Sequence, residues 1–238
     1  MTILYTKLAH VYHEMYQSIF DYRKDFRQWD SILKRYGSKR VLELGCGAGD
    51  LAKYFLRAGY VYTGMDLAQP MIDIARRETP EARFVCGDMR RFSLARKFDA
   101  VVIGGRSFTY MTANDDVQNA LRCIRRALKA GGILAFDNFA AERIFETLPR
   151  RSTERIVFGE KIITRRSKTW ANLGGGWTWN WDAAYMVRAE GKTRTFRDSC
   201  VLRAFTRDEL QLFLSLAGFT PVRLKRSGAV ILTVAKAS

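Results

Sequence analysis

The sequence predicts an α/β fold in which helices cover both faces of a mainly parallel β-sheet. Three observations predict it. Short apolar runs alternate along the chain with segments of helical periodicity, as in strands joined by helical crossovers. The first of these runs, 41–44, breaks directly into a glycine-rich turn that is followed by a helical segment. Two apolar runs near the end, 219–225 and 229–235, meet at Ser227-Gly228, which indicates a β-hairpin.

The predicted helices are identified by the spacing of their apolar side chains and by residues that begin or end a helix. Pro70 suits a first helical turn because proline has no amide hydrogen to leave unpaired. Thr206 and Glu209 have the spacing of a capping box, which opens a helix. Gly37 is expected to end the first helix, and Gly131-Gly132 the fourth. The predicted spans are 14–36, a helix from Leu51, a helix from Pro70, 114–130 and 206–218.

Five apolar segments are predicted to be the strands of the main sheet. They are 41–44, 60–65, 83–86, 98–103 and 133–136. An acidic residue lies at the carboxyl end of each of the first three: Glu43, Asp66 and Asp88. Open parallel sheets bind their ligands at the carboxyl ends of the strands. We therefore expect the three carboxylates to converge on one ligand site.

The turn after the first strand carries glycine at 45, 47 and 49, so no Cβ atom keeps a ligand away from the backbone. A dinucleotide-binding turn has the pattern G-x-G-x-x-G/A, with a small residue at its sixth place. Here Asp50 occupies that place, and its charge would repel a pyrophosphate. The pattern therefore favours a ligand without phosphate over a nicotinamide or flavin dinucleotide.

This G-x-G-x-G turn with an acid two residues upstream resembles motif I of the class I S-adenosylmethionine (SAM) methyltransferases. The resemblance implies a Rossmann-like seven-stranded sheet, mostly parallel, with a C-terminal antiparallel hairpin. It also implies SAM as the cofactor and S-adenosylhomocysteine (SAH) as the product. Asp66, about twenty residues after the turn, is placed to accept hydrogen bonds from the ribose hydroxyls. In the family, the acid that corresponds to Asp88 holds the adenine amino group.

The resemblance assigns the SAM site to the ends of the first four strands and to the N-terminal segment. Tyr22 or Arg23 is expected to hold the SAM carboxylate. The expected SAM-binding residues are Tyr5, Tyr12, Tyr22, Arg23, Glu43, Gly45, Cys46, Gly47, Gly49, Asp66, Leu67, Met71, Gly87, Asp88, Met89 and Gly104.

Between the fifth strand and the last helix lies an insertion, 150–205, which carries 12 Lys/Arg against 5 Asp/Glu. Its alternating pattern predicts an antiparallel β insertion of three or four strands after strand five. Trp177, Trp179 and Trp181 share one face, which either is covered by the domain or a second subunit or stacks with substrate. The predicted organisation is a SAM-binding core with an N-terminal helical cap in 1–149, a substrate lid or dimerisation element in 150–205, and a C-terminal helix and hairpin in 206–238.

The chain also resembles the bacterial SAM-dependent N-methyltransferases that act on nucleotide-linked amino sugars. The resemblance rests on residues 87–101, on the β insertion and on the exit from that insertion. Tyr12 and Tyr110 match positions near the SAM methionyl end and near the acceptor. His13 stands where these enzymes carry an acid, and 137–140 replaces their acid-Pro-Trp-Trp segment.

Methyl transfer from a sulfonium is an in-line displacement, so positioning can supply most of the acceleration. An amine acceptor must be neutral when it attacks, so a modest base suffices. Tyr12, His13, Tyr110 and Asp137 are expected near the methyl group, and Tyr12, His13 and Tyr110 are the candidate catalytic residues. The alternative role of His13 is packing or a surface position, and that of Tyr110 is to form a pocket wall. Of the candidate residues, only His13 has an ordinary pKa near neutrality. The candidate substrate residues are Arg106, Ser107, Tyr110, Asp137, Asn138, Trp177 and Trp179.

The amino-acid composition limits which binding partners and which cellular location are expected. The net charge of +16 indicates either a solvated basic surface or binding of an anionic acceptor, such as a phosphate, a carboxylate or RNA. Two histidines and four cysteines without a C-x-x-C pair predict no metal site and reduced thiols in a cytoplasmic protein. No run is long and apolar enough for a membrane span, and the polar N-terminus is unlike a signal peptide.

Three function hypotheses follow. The first is a SAM-dependent methyltransferase that N-methylates a small acceptor, anionic or nucleotide-linked. The second is an RNA methyltransferase, suggested by the basic charge, although 104–109 contains no N-P-P-Y-type motif. The third is a non-catalytic SAM-binding or scaffold protein. The Trp-rich strand of the insertion favours a homodimer.

Overall fold

The computed structural model describes residues 2–172 and 174–238, which form two β-sheets. The strands are β1 Arg40–Leu44, β2 Val61–Asp66, β3 Arg83–Cys86, β4 Phe98–Ile103, β5 Leu128–Phe139, β6 Arg150–Phe158, β7 Lys161–Asn172, β8 Thr178–Ala189, β9 Lys192–Arg203, β10 Phe219–Ser227 and β11 Val230–Ala237. The helices are α1 Ala9–Ile19, α2 Tyr22–Arg35, α3 Ala52–Arg57, α4 Gln69–Glu78, α5 Asn114–Ala127, α6 Ala141–Phe145 and α7 Arg207–Leu216. Short 3-10 turns lie at Ile3–Tyr5 and Ser107–Tyr110.

The larger sheet has seven strands in the order β10-β11-β5-β4-β1-β2-β3. Strands β1 to β5 run parallel to one another, whereas β11 pairs antiparallel with both β5 and β10. The smaller sheet, β6-β7-β8-β9, is antiparallel throughout and follows β5 in the chain. The predicted fold class, including the terminal hairpin and the antiparallel β insertion after strand five, is therefore confirmed.

The core lies on both faces of the larger sheet. On one face Leu121 of α5 and Leu214 of α7 pack with Phe136. On the other face Trp29 of α2 and Phe55 of α3 pack with buried residues of the same strands. This two-sided burial leaves the carboxyl edge of the parallel strands as the open end of the layer. No helix in the described part of the chain has the length and apolarity needed to cross a bilayer.

The first predicted helix, 14–36, is wrong because the structure divides it. Helix α1 ends at Ile19, and α2 begins at Tyr22 after Asp21. The Asp21 carboxylate accepts a hydrogen bond from the Lys24 amide at 3.0 Å, which caps a new helix. The aromatic spacing continues across this break, so periodicity alone did not reveal it.

The predicted end of the fourth helix is also wrong. Helix α5 stops at Ala127, and Leu128 already pairs with Phe98 in the larger sheet. Between that pair and the next, Ala100 with Ile133, the register shifts. Gly131 has a φ of +72°, and its left-handed backbone lies in the irregular part of β5. It therefore does not end a helix.

The tryptophan face of the insertion is covered by the same chain. Trp181 and Tyr185 of β8 pack against Leu4, Leu8 and Met15 of the N-terminal segment. Trp179, only 4% exposed, packs against Phe139 and Ala204. The sequence predicted that this face is either covered or stacked with substrate. Trp179 and Trp181 are covered by the domain itself.

Asp198 on β9 fixes the N-terminal segment to the insertion. Its carboxylate, 6% exposed, accepts hydrogen bonds from the amides of Ile3 at 3.0 Å and Leu4 at 3.1 Å. Lys161 on β7 also pairs with Glu14 of α1 at 2.6 Å. The segment is thus held over the open end of the parallel strands by the smaller sheet.

Asp198→Ala is expected to loosen the N-terminal segment. Two amides of this segment would lose their acceptor, which costs about 1–2 kcal/mol of the free energy of unfolding. Limited proteolysis should then cut residues 2–20 faster than in the wild type. Asp182→Ala on the outer face of the same sheet is the matched control, and equal cleavage rates in both variants would contradict the assignment.

Candidate functional site

A cavity of about 660 Å³ opens at the carboxyl ends of β1 to β5, beneath the N-terminal segment. It brings together most of the residues expected at the SAM site: Tyr5, Tyr12, Tyr22, Glu43, Gly45, Cys46, Gly47, Asp66, Leu67, Gly87, Asp88, Met89 and Gly104. Four expected substrate residues also line it, namely Arg106, Ser107, Tyr110 and Asp137.

The other expected site residues lie outside this cavity: His13, Arg23, Gly49, Met71, Asn138, Trp177 and Trp179. Met71 and Trp179 are buried in apolar clusters. Trp177 is 41% exposed and its indole packs on Phe145 with ring centroids 5.4 Å apart. Asn138 is fully buried, since strand alternation turns it away from the face of Asp137.

The glycine turn adopts a left-handed backbone at all three glycines. Gly45, Gly47 and Gly49 have φ values of +70°, +54° and +75°. The amides of Gly45 and Cys46 donate to the Met65 carbonyl at 2.8 and 3.1 Å, which joins the turn to β2. A Cβ on Gly45 would lie 2.6 Å from Ser107, whereas one on Gly47 would meet no atom within 4 Å. The turn therefore leaves space above Gly47.

Glu43 ends β1 as a buried acid, only 4% exposed. The Tyr62 hydroxyl donates a hydrogen bond to its Oε2 at 2.6 Å. Burial raises the pKa of Glu43 to about 8, although the Tyr62 bond acts in the opposite direction. Without a cationic ligand the carboxyl is therefore largely neutral at pH 7, and a nearby positive charge would ionise it.

Asp66 at the end of β2 holds the glycine turn. Its two oxygens accept hydrogen bonds from the amides of Gly47 and Ala68, both at 2.9 Å. Burial raises the pKa of Asp66, and these backbone donors act against the shift. The carboxylate thus fixes the turn and still faces the cavity.

Asp88 after β3 makes an ion pair that the sequence analysis missed. Its Oδ2 lies 2.7 Å from Nη2 of Arg90, and its Oδ1 accepts from Nε at 3.0 Å. Arg90 also reaches Asp116 on α5 at 3.1 Å. The hydrogen bonds from Arg90 lower the pKa of Asp88, which keeps it ionised. Asp88 and Arg90 are two residues apart in a loop, where no helix or strand periodicity indicates that they pair.

Aromatic side chains of the N-terminal segment form the roof of the cavity. The hydroxyls of Tyr5 and Tyr110 are 2.9 Å apart, and Tyr12 contacts the Tyr5 ring edge-on. Burial raises the pKa values of Tyr5, Tyr12 and Tyr110. These phenols therefore stay protonated near neutral pH and act as hydrogen-bonding groups.

His13 faces Asp50 instead of the cavity interior. Its Nδ1 lies 3.3 Å from Oδ1 of Asp50, which also accepts from Gln17 at 2.8 Å. The hydrogen-bonding interaction of His13 with the Asp50 carboxylate, which acts as the acceptor, raises the pKa of His13, and partial burial opposes this shift. Asp50 lines the cavity, so His13 influences the site through this acid.

The β4–β5 side of the cavity contains Arg106 and Asp137. The Arg106 amide donates to Oδ1 of Asp137 at 2.8 Å. Arg106 has a φ of +62°, and its guanidinium lies 5.3 Å from the centre of the Phe139 ring. Ser107 donates to the Gly104 carbonyl at 3.0 Å.

Several lining residues were not identified from the sequence. Asp25 on α2 and Trp29 one turn later reach the cavity, as do Ser199, Cys200 and Leu202 on β9. Burial raises the pKa of the Cys200 thiol to about 12, so it stays protonated. The pattern of an insertion shows which residues share a face, but it does not show which edge of that sheet meets the core. Within the described residues no group of three His, Cys, Asp or Glu side chains is placed to hold a metal ion.

Comparisons with known proteins agree with this geometry. A family model described as a methyltransferase domain matches residues 41–132, which contain the glycine turn and all three strand-end acids. A Bacillus subtilis (strain 168) protein named YqeM is 30% identical over 155 residues, 62% of this chain and 60% of that protein. The dTDP-4-amino-2,3,4,6-tetradeoxy-D-glucose N,N-dimethyltransferase of Saccharopolyspora spinosa is 28% identical over 188 residues, 76% of this chain and 71% of that protein.

A solved structure with the same fold is that of Streptomyces venezuelae DesVI. Its TM-score is 0.85 at 24% sequence identity, and the match covers 97% of this chain and 98% of that chain. The coverage includes both β-sheets, so the β insertion belongs to the shared architecture.

Proposed function

We propose that the chain is a class I SAM-dependent methyltransferase that transfers the SAM methyl group to a nitrogen of a small acceptor, anionic or nucleotide-linked. The observation that carries this proposal is the convergence of Glu43, Asp66 and Asp88 on the open space above Gly47. SAM brings an ammonium and a sulfonium, and carboxylates at the turn suit that charge better than they suit a pyrophosphate.

Each strand-end acid has a distinct part in holding SAM. Glu43 meets the ammonium, which would ionise the buried carboxyl. Asp66 accepts from the ribose hydroxyls with the lone pairs that the amides of Gly47 and Ala68 leave free. Asp88 accepts from the adenine amino group while Arg90 fixes its orientation.

Bound SAM supplies an electrophilic methyl group, and the chain supplies position and exclusion of water. The tyrosine roof closes the cavity over the methionyl end, and Tyr12 and Tyr110 orient the reactants as neutral donors. Such positioning is worth about 7–11 kcal/mol when the reacting atoms are aligned. His13 acts on the site only through Asp50.

The acceptor binds on the side of β4 and β5, where Arg106, Ser107, Tyr110 and Asp137 line the cavity. The Saccharopolyspora spinosa relative is named for a dTDP-linked amino sugar, which supports a nitrogen acceptor with an anionic tail. The excess of Lys and Arg in the insertion supports the same class. We assign 150–205 as the lid over this side of the cavity.

The proposal includes a cytoplasmic location and a homodimer. The free thiols of Cys46, Cys86, Cys123 and Cys200 suit a reducing compartment. Trp177, exposed between β7 and β8, is apolar surface that a second copy would bury. Light scattering at micromolar concentration tests the dimer, and a monomeric mass would contradict it.

With SAM and dTDP-4-amino-2,3,4,6-tetradeoxy-D-glucose, the protein is expected to form SAH and an acceptor heavier by one or two methyl groups. Mass spectrometry measures both products.

Asp66→Asn should lower SAM affinity by about tenfold, because an amide is a weaker acceptor for the ribose hydroxyls. Asp73→Asn on the exposed face of α4 should leave the affinity unchanged.

SAM binding without turnover of this or related amino-sugar nucleotides would contradict the acceptor class and leave the donor assignment standing. Saturation by NADH in place of SAM would contradict the donor assignment itself. Calorimetry with SAM and with NADH, together with the turnover assay, separates these outcomes.

A further inference from the structure

The acceptor side of the cavity holds an acid that makes no ion pair with the described residues. Asp137 follows the buried run 132–136 of β5 and lines the cavity. Its Oδ1 is held by the Arg106 amide at 2.8 Å, while the Arg106 guanidinium lies over the Phe139 ring. The left-handed backbone of Arg106 is uncommon for a residue with a side chain, and such strain is concentrated at functional sites.

Among the described acids that line the cavity, Asp88 and Asp50 have ion-pair partners, whereas Asp137, Glu43, Asp66 and Asp25 have none. Among the described residues, no side-chain nitrogen of Lys, Arg or His lies within 4.0 Å of the Asp137 carboxylate. Asp88 has Arg90, and Asp50 has His13 and Gln17. Glu43 and Asp66 belong to the donor half. Asp137 is thus an anchored carboxylate with an oxygen free for a ligand on the acceptor side.

We propose that Asp137 binds the ammonium of a cationic amine acceptor and receives its proton, with the Arg106 main chain as the positioning group. This inference rests on the proposed function. One N–H bond of the acceptor breaks and its proton goes to the carboxylate, which leaves the nitrogen lone pair free. That lone pair forms the bond to the methyl carbon as the carbon–sulfur bond breaks, and the bond electrons stay on sulfur to give SAH.

The other titratable groups near the reaction are less suited to this step. Tyr12 and Tyr110 remain protonated, and His13 is engaged with Asp50 outside the cavity. Burial raises the pKa of Asp137, against the Arg106 amide and charge, so its carboxylate is a stronger base than an exposed aspartate. Asp25 on α2 is the other acid that faces this region, and it has more solvent around it.

Sinefungin tests the inference without the natural acceptor. This SAM analogue has an amine-bearing carbon in place of the methylated sulfur, so its ammonium lies where the methyl group would be transferred. SAH has the same methionyl and adenosyl groups and no such charge. The ratio of their affinities therefore isolates the charge at the transfer position, because the contributions of Glu43, Asp66 and Asp88 cancel.

In calorimetry the wild type is expected to bind sinefungin about tenfold more tightly than SAH, as a charge-assisted hydrogen bond implies. Asp137→Asn should bring that ratio close to one while SAH affinity stays within about twofold. Asparagine still accepts the Arg106 amide, so the backbone geometry is kept. Asp25→Asn is the matched control and should keep the wild-type ratio.

Persistence of the sinefungin preference in Asp137→Asn would overturn the inference, and so would its loss in Asp25→Asn alone. A wild-type ratio near one would also overturn it, with the donor assignment intact because SAH binds. Failure of both compounds to bind the wild type would instead refute the proposed function, and the inference with it.

Discussion

Gly47→Ala is expected to fold normally and to lose SAM affinity, whereas Gly49→Ala is expected to lose stability. Both glycines have left-handed backbones, so alanine carries the same strain of about 1 kcal/mol at either position. Their surroundings differ. A Cβ on Gly47 meets no protein atom within 4 Å, and Gly47 lines the cavity. A Cβ on Gly49 would lie 2.8 Å from Cζ of Phe84 and 3.0 Å from Cβ of Ala75.

The clash at Gly49 adds about 1–3 kcal/mol to the loss of stability, since neither ring nor helix can withdraw easily. Urea unfolding should therefore show Gly49→Ala less stable than Gly47→Ala by about 2 kcal/mol. In Gly47→Ala the same overlap falls on the ligand and should weaken SAM binding by about 10- to 100-fold. Equal stability of the two variants, or full SAM affinity in Gly47→Ala, would contradict this division.

Gly47 and Gly49 also illustrate why the glycine turn could be predicted from the sequence. A glycine repeat after a buried strand indicates a left-handed turn whatever surrounds it, because the constraint lies in the residues themselves. The same holds for Glu43 and Asp66, whose positions follow from strand ends and from parallel pairing. Local chemistry was sufficient to place the glycine turn and the strand-end acids at the cavity.

The acceptor half depended on contacts between distant segments. Asp137 was expected near the acceptor, but its bond to the Arg106 amide requires β4 and β5 to be neighbours and the Arg106 backbone to turn left-handed. Arg90 could be assigned to Asp88 only once the loop geometry was known. Trp179 has the strand periodicity of a candidate stacking residue, yet its partner is Phe139 of the same chain.

The predicted limits of two helices were wrong, because the spacing of apolar residues did not show where each helix begins or ends. Asp21 caps α2 in the middle of an aromatic pattern that continues from Ile19 to Phe26. At the end of α5, two glycines suggested a helix stop, but the chain had already entered β5 at Leu128. Both errors arise because apolar spacing reports which residues are buried, not which hydrogen bonds their backbone makes.

Glu43→Gln is expected to change stability and SAM affinity in opposite directions. The folded-state pKa of Glu43 is about 8, above the ordinary value of 4.5, because burial disfavours the charge. The neutral carboxyl therefore stabilises the fold fully below about pH 4.5, and this stability is lost as the pH rises to about 8. Glutamine is neutral at every pH and can still accept from Tyr62.

Urea unfolding at pH 5 and pH 8 measures the first effect. We expect Glu43→Gln to be more stable than the wild type at pH 8 by an amount on the order of a few kcal/mol, with a smaller difference at pH 5. A variant that is less stable at both pH values would show that the buried carboxylate is already compensated within the folded protein.

The second effect follows from the ammonium of SAM. That cation ionises Glu43 on binding, so below pH 8 the wild type should release a proton when SAM binds. Calorimetry in buffers of different ionisation enthalpy detects the release, which Glu43→Gln should lack. The variant should also bind SAM about 10- to 100-fold more weakly, as expected when a charged hydrogen bond loses its charge. Binding heats that are independent of buffer in the wild type would place the ammonium elsewhere, because a neutral, buried acid cannot pair with it without losing its proton.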